Sequence, residues 1–344
     1  MDLLTTHFRH GLRRAFAGVA QALILAAVFS PLSAPPQARA ATGSGKTAAA
    51  GRKYAMPLSA HPFFNLPEPA VLAHRGDAAA RPENTLPSFD LALQEGADVL
   101  ETDVHLTQDG ETVVMHDNRV DRTTDGTGEI AGLTLAEIKK LDAAQFFSTD
   151  GGETFPLRGR GIEVPTLREL FEAYPGKRFN LEIKSADPRA VGAVLDLVQE
   201  FGREDMTLLT SGNPAVMRRL RAEAAQKGSK VALGASSLDV LFFIQSMKQG
   251  AAPAPEIKAL EVPASYAGAP LVTQEFVDHA HKHGIKVYVW TINDPKQMQD
   301  LFKMGVDGIF SDDPKTAAAE AANFRQSRRP VPPVVKPGNK KPSL

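Results

Sequence analysis

The chain has 344 residues, of which 43% are hydrophobic, with a formal net charge of -1 and a sequence pI near 6.8. Nucleic-acid-binding domains usually have a pI above about 9, so nucleic acid is not an expected partner. The sequence contains no cysteine, which excludes disulfides, thiolate catalysis and zinc–cysteine sites.

Residues 1–40 have the pattern of a signal peptide. Arg13-Arg14 precedes an apolar stretch over residues 15–29, and Ala38-Arg39-Ala40 is a small-x-small cleavage site. The apolar stretch is shorter than the roughly 20 residues that span a bilayer, which disfavours an uncleaved membrane anchor. We therefore predict a secreted, bacterial periplasmic protein whose mature chain begins at Ala41. The paired arginines leave both general and twin-arginine export open.

Two segments of low-complexity composition flank the predicted folded domain, which covers residues 70–320. Residues 41–69 are rich in Gly, Ala, Ser, Lys and Pro and are predicted to be a linker. Residues 321–344 form a basic, Pro-rich tail. Such compositions bury too little apolar surface to offset their ordering entropy, so the tail is predicted to be disordered.

Within the folded domain, short β-rich runs alternate with helical segments. The predicted strands are 70–74, 99–106, 178–184, 206–211, 230–234, 257–263, 286–291 and 308–312. The predicted helices between them are 86–95, 188–201, 214–226, 238–247, 273–283 and 295–304. Eight strands joined by crossover helices favour an α/β (β/α)8 TIM barrel over an open doubly wound sheet. In such a barrel, the active site is built at the C-terminal ends of the strands.

One stretch, residues 118–165, interrupts the alternation. It contains a predicted helix over 135–141, followed by a Gly-rich, Phe-containing segment over 146–161. Long loops of this kind are usually functional or disordered. We interpret it as an insertion that forms a lid over the barrel mouth.

The second predicted strand carries two carboxylates on one face. Glu101 and Asp103 are two residues apart, and successive strand side chains point to opposite sides. Stacked carboxylates repel one another unless a cation lies between them, so the pair indicates a metal site. Asp109-Gly110 then predicts a hairpin whose two-residue loop would place His116 opposite Asp103. A slip of one residue would turn His116 to the other face.

A set of short motifs occurs in a fixed order through residues 70–314. They are His74-Arg75-Gly76, Pro82-Glu83-Asn84-Thr85, Glu101-Thr102-Asp103-Val104, His116-Asp117, Arg122-Thr123-Thr124, Leu181-Glu182-Ile183-Lys184, Trp290-Thr291 with Asn293, and Gly305-Val306-Asp307-Gly308. Each motif alone is weak evidence, but the ordered set is specific. In these motifs the chain resembles the glycerophosphodiester phosphodiesterases.

The resemblance implies that Glu101, Asp103 and Glu182 bind one divalent cation. Carboxylate ligands suit a hard ion, Ca²⁺ or Mg²⁺, better than zinc, and the sequence does not choose between the two. An alternative for Glu182 is a structural ion pair with a neighbouring lysine.

The resemblance also implies that His74 and His116 are the general acid and base, in an order that the sequence leaves open. Imidazole can accept and donate a proton near neutrality. Arg75 and Lys184 are expected to bind the phosphate. Trp290 is expected to contact the glycerol or alcohol moiety, with an ordinary core role as the alternative.

The implied activity is hydrolysis of glycerophosphodiesters to sn-glycerol 3-phosphate and an alcohol. Two enzymatic alternatives use the same chemistry: a lysophospholipase D-like activity and hydrolysis of glycerophosphate polymers of the cell wall. A non-catalytic glycerophosphodiester-binding protein is the alternative from a different class, but such a protein would be expected to have lost a histidine or a carboxylate.

Overall fold

The computed structural model of the protein describes residues 60–254 and 256–328. The predicted signal peptide, the linker up to residue 59 and the tail beyond residue 328 lie outside the described residues. Within the described ranges, no helix combines the length and the apolar character needed to cross a membrane.

The strands of the described ranges are numbered here in chain order. They are β1 (Ala70–His74), β2 (Val99–Leu106), β3 (Thr112–Val114), β4 (Arg178–Ile183), β5 (Thr207–Thr210), β6 (Ala232–Leu233), β7 (Ala259–Pro263), β8 (Ser265–Tyr266), β9 (Ala269–Pro270), β10 (Lys286–Trp290) and β11 (Gly308–Ser311).

Eight of these strands run parallel in the order β6, β5, β4, β2, β1, β11, β10, β7. Between the two end strands, the Lys258 N–H donates to the Leu233 carbonyl at 3.4 Å. This contact brings the ends of the sheet together in a nearly closed barrel. The predicted (β/α)8 TIM barrel is therefore confirmed.

The barrel strands lie where the sequence predicted them, and β1 and β2 have the predicted bounds. The largest difference is at β6, which has two residues where five were predicted. Two antiparallel pairs are added to the barrel. Strand β3 pairs with β2, and β8 with β9 forms a small hairpin directly after β7.

The helices of the described ranges are likewise numbered in chain order. They are α1 (Leu86–Gln94), α2 (Leu135–Ile138), α3 (Leu167–Ala173), α4 (Pro188–Glu200), α5 (Pro214–Lys227), α6 (Ser237–Gln249), α7 (Gln274–Lys282), α8 (Pro295–Met304) and α9 (Pro314–Ser327). The six helices predicted between the strands agree with the structure to within two residues. Helix α2 is shorter than predicted, and α3 was missed although Thr166 and Glu169 form a capping box at its start.

Four helices, α4, α5, α8 and α9, begin with the same dipeptide pattern directly after a barrel strand. In each, an Asp or Asn side chain accepts a hydrogen bond from a first-turn N–H, and a proline follows it. The side chain satisfies a backbone donor that the helix leaves unpaired, and proline fits the first helical position. These four helices therefore begin beside the C-terminal ends of the barrel strands, at the mouth of the barrel.

The folded domain begins before residue 70, so the predicted linker boundary is wrong. Residues Pro62–Phe64 form a 3-10 helix, and Phe63 is completely buried. The Phe63 ring packs with side chains inside the barrel at the N-terminal ends of its strands. This cluster contains Phe64, Ala70, Leu72, Val99, Leu208, Ala232, Ala259, Tyr288 and Phe310. The linker composition concealed two aromatic residues that fill the N-terminal end of the barrel.

The folded domain also extends past residue 320, the predicted start of the tail. Helix α9 continues to Ser327 because Ala317 and Ala321 are buried on its barrel-facing side. Near its end, the Phe324 ring packs against Phe302, and Arg325 donates to the Pro69 carbonyl at 2.9 Å. Apolar contacts on one face therefore hold a segment whose average composition is polar.

The insertion over residues 118–165 packs around a small apolar core of its own. This core contains Val113, Met115, Val120, Ile130, Ile138, Ala143 and Val164. Arg122 joins the insertion to the barrel mouth by donating to both oxygens of Glu83. The interpretation of this segment as a lid stays a prediction.

Candidate active site

The hairpin between β2 and β3 differs by one residue from the predicted register. Leu106 pairs with Thr112, and the Asp103 carbonyl accepts the Met115 N–H at 3.0 Å. The Thr107 N–H donates to the Glu111 carbonyl at 2.9 Å, so the loop has three residues, 108–110, and ends at Gly110, whose φ of 90° favours glycine. Met115, and not His116, follows the pairing opposite Asp103, so that prediction was wrong.

Strand register nevertheless brings the predicted site residues onto adjacent strands. In parallel neighbours, His74 on β1 is level with Glu101 on β2, and Asp103 on β2 is level with Glu182 on β4. Residues that are level on paired strands point to the same face of the sheet. The three predicted metal ligands therefore line one side of the barrel mouth, next to His74.

Lys184 bridges two of these carboxylates. Its ammonium lies 2.6 Å from Glu182 Oε2 and 3.3 Å from Asp103 Oδ1. Burial alone would lower the pKa of Lys184, but the charges of Asp103 and Glu182 raise it above its ordinary value. The second oxygen of Glu182 accepts the Gly212 N–H at 3.1 Å. Lys184 therefore stays charged at the place where the sequence predicts a phosphate.

Arg75 is held in an unusual conformation directly beside these groups. Its φ is 60°, in the left-handed region that non-glycine residues rarely adopt. The Arg75 N–H donates to Glu101 Oε2 at 2.9 Å, and Nη1 donates to Glu83 Oε1 at 3.1 Å. Its buried Nε lies 3.6 Å from Asp103 Oδ2 and makes no hydrogen bond. The bond from Nη1 to Glu83 braces the first loop, and Nη2 has no hydrogen-bond partner among the described residues.

The mouth contains more carboxylates than cationic side chains. Burial, together with the charge of Asp103, raises the pKa of Glu101 to about 7. Burial also raises the pKa of Glu261, on β7, to about 8; the hydrogen bond from Asn180 opposes this rise, and the charge of Glu182 adds to it. A bound cation would offset this excess of negative charge.

His74 is oriented by an aspartate from the last barrel strand. Its Nδ1 lies 2.6 Å from Oδ1 of Asp312, whose Oδ2 accepts from Asn293 at 2.7 Å. Burial alone would lower the pKa of His74, but the hydrogen bond to Asp312 and the charge of Glu101 raise it above 6.5. Asp312 therefore fixes the ring and favours its protonated form.

His116 is oriented in the same way by its neighbour in the chain. Its Nδ1 lies 2.8 Å from Asp117 Oδ1, and Arg122 donates to the other oxygen of Asp117 at 2.7 Å. Burial would raise the pKa of Asp117, but the hydrogen bonds from Arg122 and His116 lower it to about 2. An ionised aspartate accepts the Nδ1 proton, so Nε2 is the basic atom of neutral His116.

The two histidines are each held at Nδ1, so each presents its Nε2 to a bound molecule. Among the described residues, neither His74 Nε2 nor His116 Nε2 has a hydrogen-bond partner, and both side chains are partly exposed. A partly exposed imidazole nitrogen whose ring is fixed from the other side can exchange a proton with a bound molecule. The site has two such groups, together with the two cations Arg75 and Lys184.

Sequence reasoning assigned no role to several side chains that complete this arrangement. They are Asp117, Arg122, Glu261, Asn293 and Asp312, with His105, whose Nε2 lies 3.2 Å from the His116 carbonyl. Five of the six stand within, or next to, quoted motifs or predicted strand ends. An aspartate at the end of the last barrel strand, which lies beside the first, was the available signal for Asp312.

The three predicted metal ligands have the chemistry that a cation requires, but their side chains are not arranged around a common point. No group of three or more His, Asp and Glu side chains in the described ranges is arranged to hold an ion. The Lys184 ammonium instead lies between Asp103 and Glu182. Three oxygen donors in an environment with excess negative charge nevertheless suit a hard divalent cation.

A cleft of about 290 Å³ adjoins the charged groups. Glu182 and Trp290 are among the residues that line it, and its wall is largely apolar. Trp290 is 43% exposed, so the core role considered for it does not apply.

Comparison with known proteins places these observations in a family. Residues 74–316 match the family model described as the glycerophosphoryl diester phosphodiesterase family. A protein of Caldanaerobacter subterraneus subsp. tengcongensis named glycerophosphodiester phosphodiesterase is 37% identical over 254 residues, covering 72% of this chain and 95% of that protein.

Two further relatives bear on the ligand. A phosphodiesterase of Oleispira antarctica, solved in complex with the product sn-glycerol-3-phosphate, is 30% identical, with a TM-score of 0.60 over 74% of this chain and 97% of that chain. A human protein named lysophospholipase D GDPD1 is 27% identical over 276 residues, covering 74% of this chain and 86% of that protein.

Proposed function

Because this chain belongs to the glycerophosphodiester phosphodiesterase family and is an enzyme of that class, we propose that it uses His74 and His116 with a divalent cation. The reaction converts a glycerophosphodiester and water into sn-glycerol 3-phosphate and an alcohol. The observation that supports this most strongly is the pair of histidines, each held at Nδ1 by an aspartate. Their unpartnered Nε2 atoms provide one proton acceptor and one proton donor.

In the proposed first step, one histidine takes the proton from the glycerol 2-hydroxyl as its oxygen forms a bond to phosphorus. The other histidine gives a proton to the leaving alcohol oxygen as its bond to phosphorus breaks. The product is a cyclic glycerophosphate. In the second step, water opens this ring, and the two histidines exchange roles, so each returns to its starting protonation state.

Arg75 and Lys184 bind the phosphate oxygens in this proposal. Negative charge on those oxygens is stabilised by fixed cations that need no reorganisation during the reaction. The positions of the Arg75 guanidinium beside Asp103 and of the Lys184 ammonium between Asp103 and Glu182 support this role. A divalent cation held by Glu101, Asp103 and Glu182, Ca²⁺ or Mg²⁺, would supply further neutralisation of the phosphate charge when bound.

The experiment that tests this function measures release of glycerol 3-phosphate from glycerophosphocholine. The purified protein is assayed after EDTA treatment, and again with Ca²⁺ or Mg²⁺ restored. We expect release to fall after EDTA and to return with one of the two ions. Unchanged turnover in EDTA would contradict the proposed requirement for a divalent cation. A folded sample that releases no product with either ion would contradict the proposed substrate.

A further inference from the structure

A row of alternating charges connects the insertion to two groups of the proposed mechanism. We propose that Arg122, which belongs to the insertion, is a positioning residue that fixes His116 and Arg75 relative to each other. By this inference the insertion is part of the catalytic unit. The inference rests on the proposed function, because it gives Arg122 an effect on two groups of the proposed reaction.

The guanidinium of Arg122 lies between two carboxylates and bonds to both oxygens of each. Nε donates to Asp117 Oδ2 at 2.7 Å, and Nη2 donates to Asp117 Oδ1 at 3.2 Å. Nη1 donates to Glu83 Oε2 at 2.8 Å, and Nη2 donates to Glu83 Oε1 at 2.7 Å. All three nitrogens therefore bond to carboxylates of the protein, so we assign Arg122 no contact with the substrate.

Each of these carboxylates also holds a group of the proposed mechanism. Asp117 Oδ1 lies 2.8 Å from His116 Nδ1, and Glu83 Oε1 accepts from Arg75 Nη1 at 3.1 Å. The row therefore begins at a cation proposed for the phosphate and ends at a histidine proposed for proton transfer. Arg122 is the central member of the row.

Arg122 helps to keep both carboxylates ionised. Burial would raise the pKa of Glu83, but the hydrogen bond from Arg122 and the charge of Arg75 lower it below its ordinary value. The hydrogen bonds from Arg122 and His116 likewise overcome burial and lower the pKa of Asp117 to about 2. Two ionised carboxylates repel each other when no cation lies between them. Without Arg122 both would turn away from the positions that hold His116 and Arg75.

The backbone that carries Arg122 is fixed by the core of the insertion. Val120 is completely buried, and its carbonyl accepts from the N–H of Thr124 at 3.1 Å and from its Oγ1 at 2.8 Å. Arg122 lies in the middle of this turn. The buried turn therefore sets the point from which the guanidinium reaches the barrel mouth.

Other contacts hold the insertion against the barrel. The Val114 N–H donates to the Pro165 carbonyl at 2.9 Å, and Val113 and Met115 are buried in the core of the insertion. An exposed ion pair usually contributes less than about 1 kcal/mol to stability. The Arg122 side chain is 47% exposed. We therefore expect its bonds to orient the two carboxylates more than they stabilise the fold.

Removal of the guanidinium tests this role. Arg122→Ala should lower kcat for glycerophosphocholine by roughly 10²-fold, since a misplacement of about 1 Å in a reacting group can cost that much. The matched control is Arg119→Ala in the same insertion, where the Arg119 side chain is 49% exposed and pairs with Asp121. This control should leave kcat unchanged. Circular dichroism would show that both variants keep the fold.

Addition of guanidinium ion distinguishes positioning from a structural role. Because the Arg122 side chain is partly exposed, a free guanidinium ion can enter the space that alanine leaves. We expect the ion to raise kcat of Arg122→Ala in a saturable manner, at concentrations far below those that unfold proteins. Urea is planar and of similar size but uncharged, and it should not raise kcat. Arg122→Lys keeps the charge but lacks the planar fork that bonds to two carboxylates, so it should retain only part of the rate.

His116→Asn, measured beside these variants, separates this inference from the proposed function. A kcat for Arg122→Ala within a few-fold of the unmodified protein would overturn the inference, and a large loss in His116→Asn would still support the proposed function. A loss in folded Arg122→Ala that guanidinium ion does not reverse would also overturn the inference. A reversible loss in Arg122→Ala with no loss in His116→Asn would support Arg122 and contradict the proposed function. If Arg122→Ala does not fold, Arg122→Lys takes its place, and an unchanged kcat would overturn the inference.

Discussion

On one side of the barrel mouth, the ends of β1, β2, β4 and β11 carry charged side chains bonded to one another. On the other side, β7, β10 and the residues that follow β6 border a largely apolar cleft. The charged side has continuous strand pairing from β11 through β1 and β2 to β4. The apolar side contains the two-residue strand β6 and the place where the sheet closes. The charged groups, whose positions must be fixed within tenths of an ångström for catalysis, lie on strands that are paired without a break. The cleft lies beside β6, the shortest strand of the barrel.

This comparison predicts that changes on the charged side alter the rate for every substrate. His116→Asn removes a proposed proton-transfer group, and we expect kcat for glycerophosphocholine to fall by roughly 10²- to 10⁴-fold. His116 is partly exposed, so the fold should be retained. Steady-state kinetics and circular dichroism would check this.

The control is His283→Asn, at the end of α7 near the opposite end of the barrel. It should leave kcat unchanged. A kcat for His116→Asn within a few-fold of the unmodified protein would remove His116 from the proposed mechanism.

A second prediction concerns the carboxylates of the charged side. Glu182→Gln keeps the size of the side chain but removes one negative charge from the proposed ligand set. We expect affinity for the activating divalent cation to fall by at least about tenfold, since the number of charged oxygen ligands sets the affinity of a hard cation. Calorimetric titration of the metal-free protein would measure it, with the exposed Glu200→Gln as the control for an ordinary surface carboxylate. Equal affinities in the two variants would exclude Glu182 as a ligand.

A third prediction follows from the raised pKa of His74. Asp312→Asn replaces the charged acceptor that raises this pKa with a neutral one, so whichever limb of the pH–rate profile His74 controls should move to lower pH. The stabilising contact is present below the ordinary pKa of 6.5 and is lost as pH rises through the raised value. The loss of stability in the variant should therefore be larger at pH 5.5 (about one unit below) than at pH 8.5 or so.

Nuclear magnetic resonance titration of the His74 imidazole, with denaturant unfolding at both pH values, would check this. Asp300→Asn, which breaks an exposed pair with Lys296 on α8, is the control and should shift neither. An unchanged His74 pKa in Asp312→Asn would show that Asp312 does not set the protonation of the ring.

The same contrast explains which features could be predicted from the sequence. Period-two spacing placed Glu101 and Asp103 on one face of a strand, and the family resemblance added Glu182; the structure has all three on one side of the barrel, because parallel strands bring their C-terminal ends to one edge. The predicted hairpin register was wrong because Asp109-Gly110 is compatible with both a two-residue and a three-residue loop.

Contacts between residues that are far apart in the sequence could not be predicted from spacing and strand position. Asp312 is 238 residues from His74 and meets it only because the last strand closes beside the first. The apolar cleft was not predicted, since residues of α6 that line it have the same pattern as residues that pack in the core. Phe63, inside a segment with linker composition, was missed for the related reason that composition averages over single buried side chains.

The prediction with the smallest expected effect concerns how tightly side chains pack on the charged side and on the apolar side of the barrel mouth. Leu181→Ala, in the closely packed core behind the charged side, should lower the free energy of unfolding by about 3 to 5 kcal/mol. Ile244→Ala, on the cleft wall, should cost about 2 kcal/mol, because one side of Ile244 already faces unfilled space. Urea unfolding of both variants would measure the difference. Equal costs would mean that Ile244 is packed as tightly as Leu181.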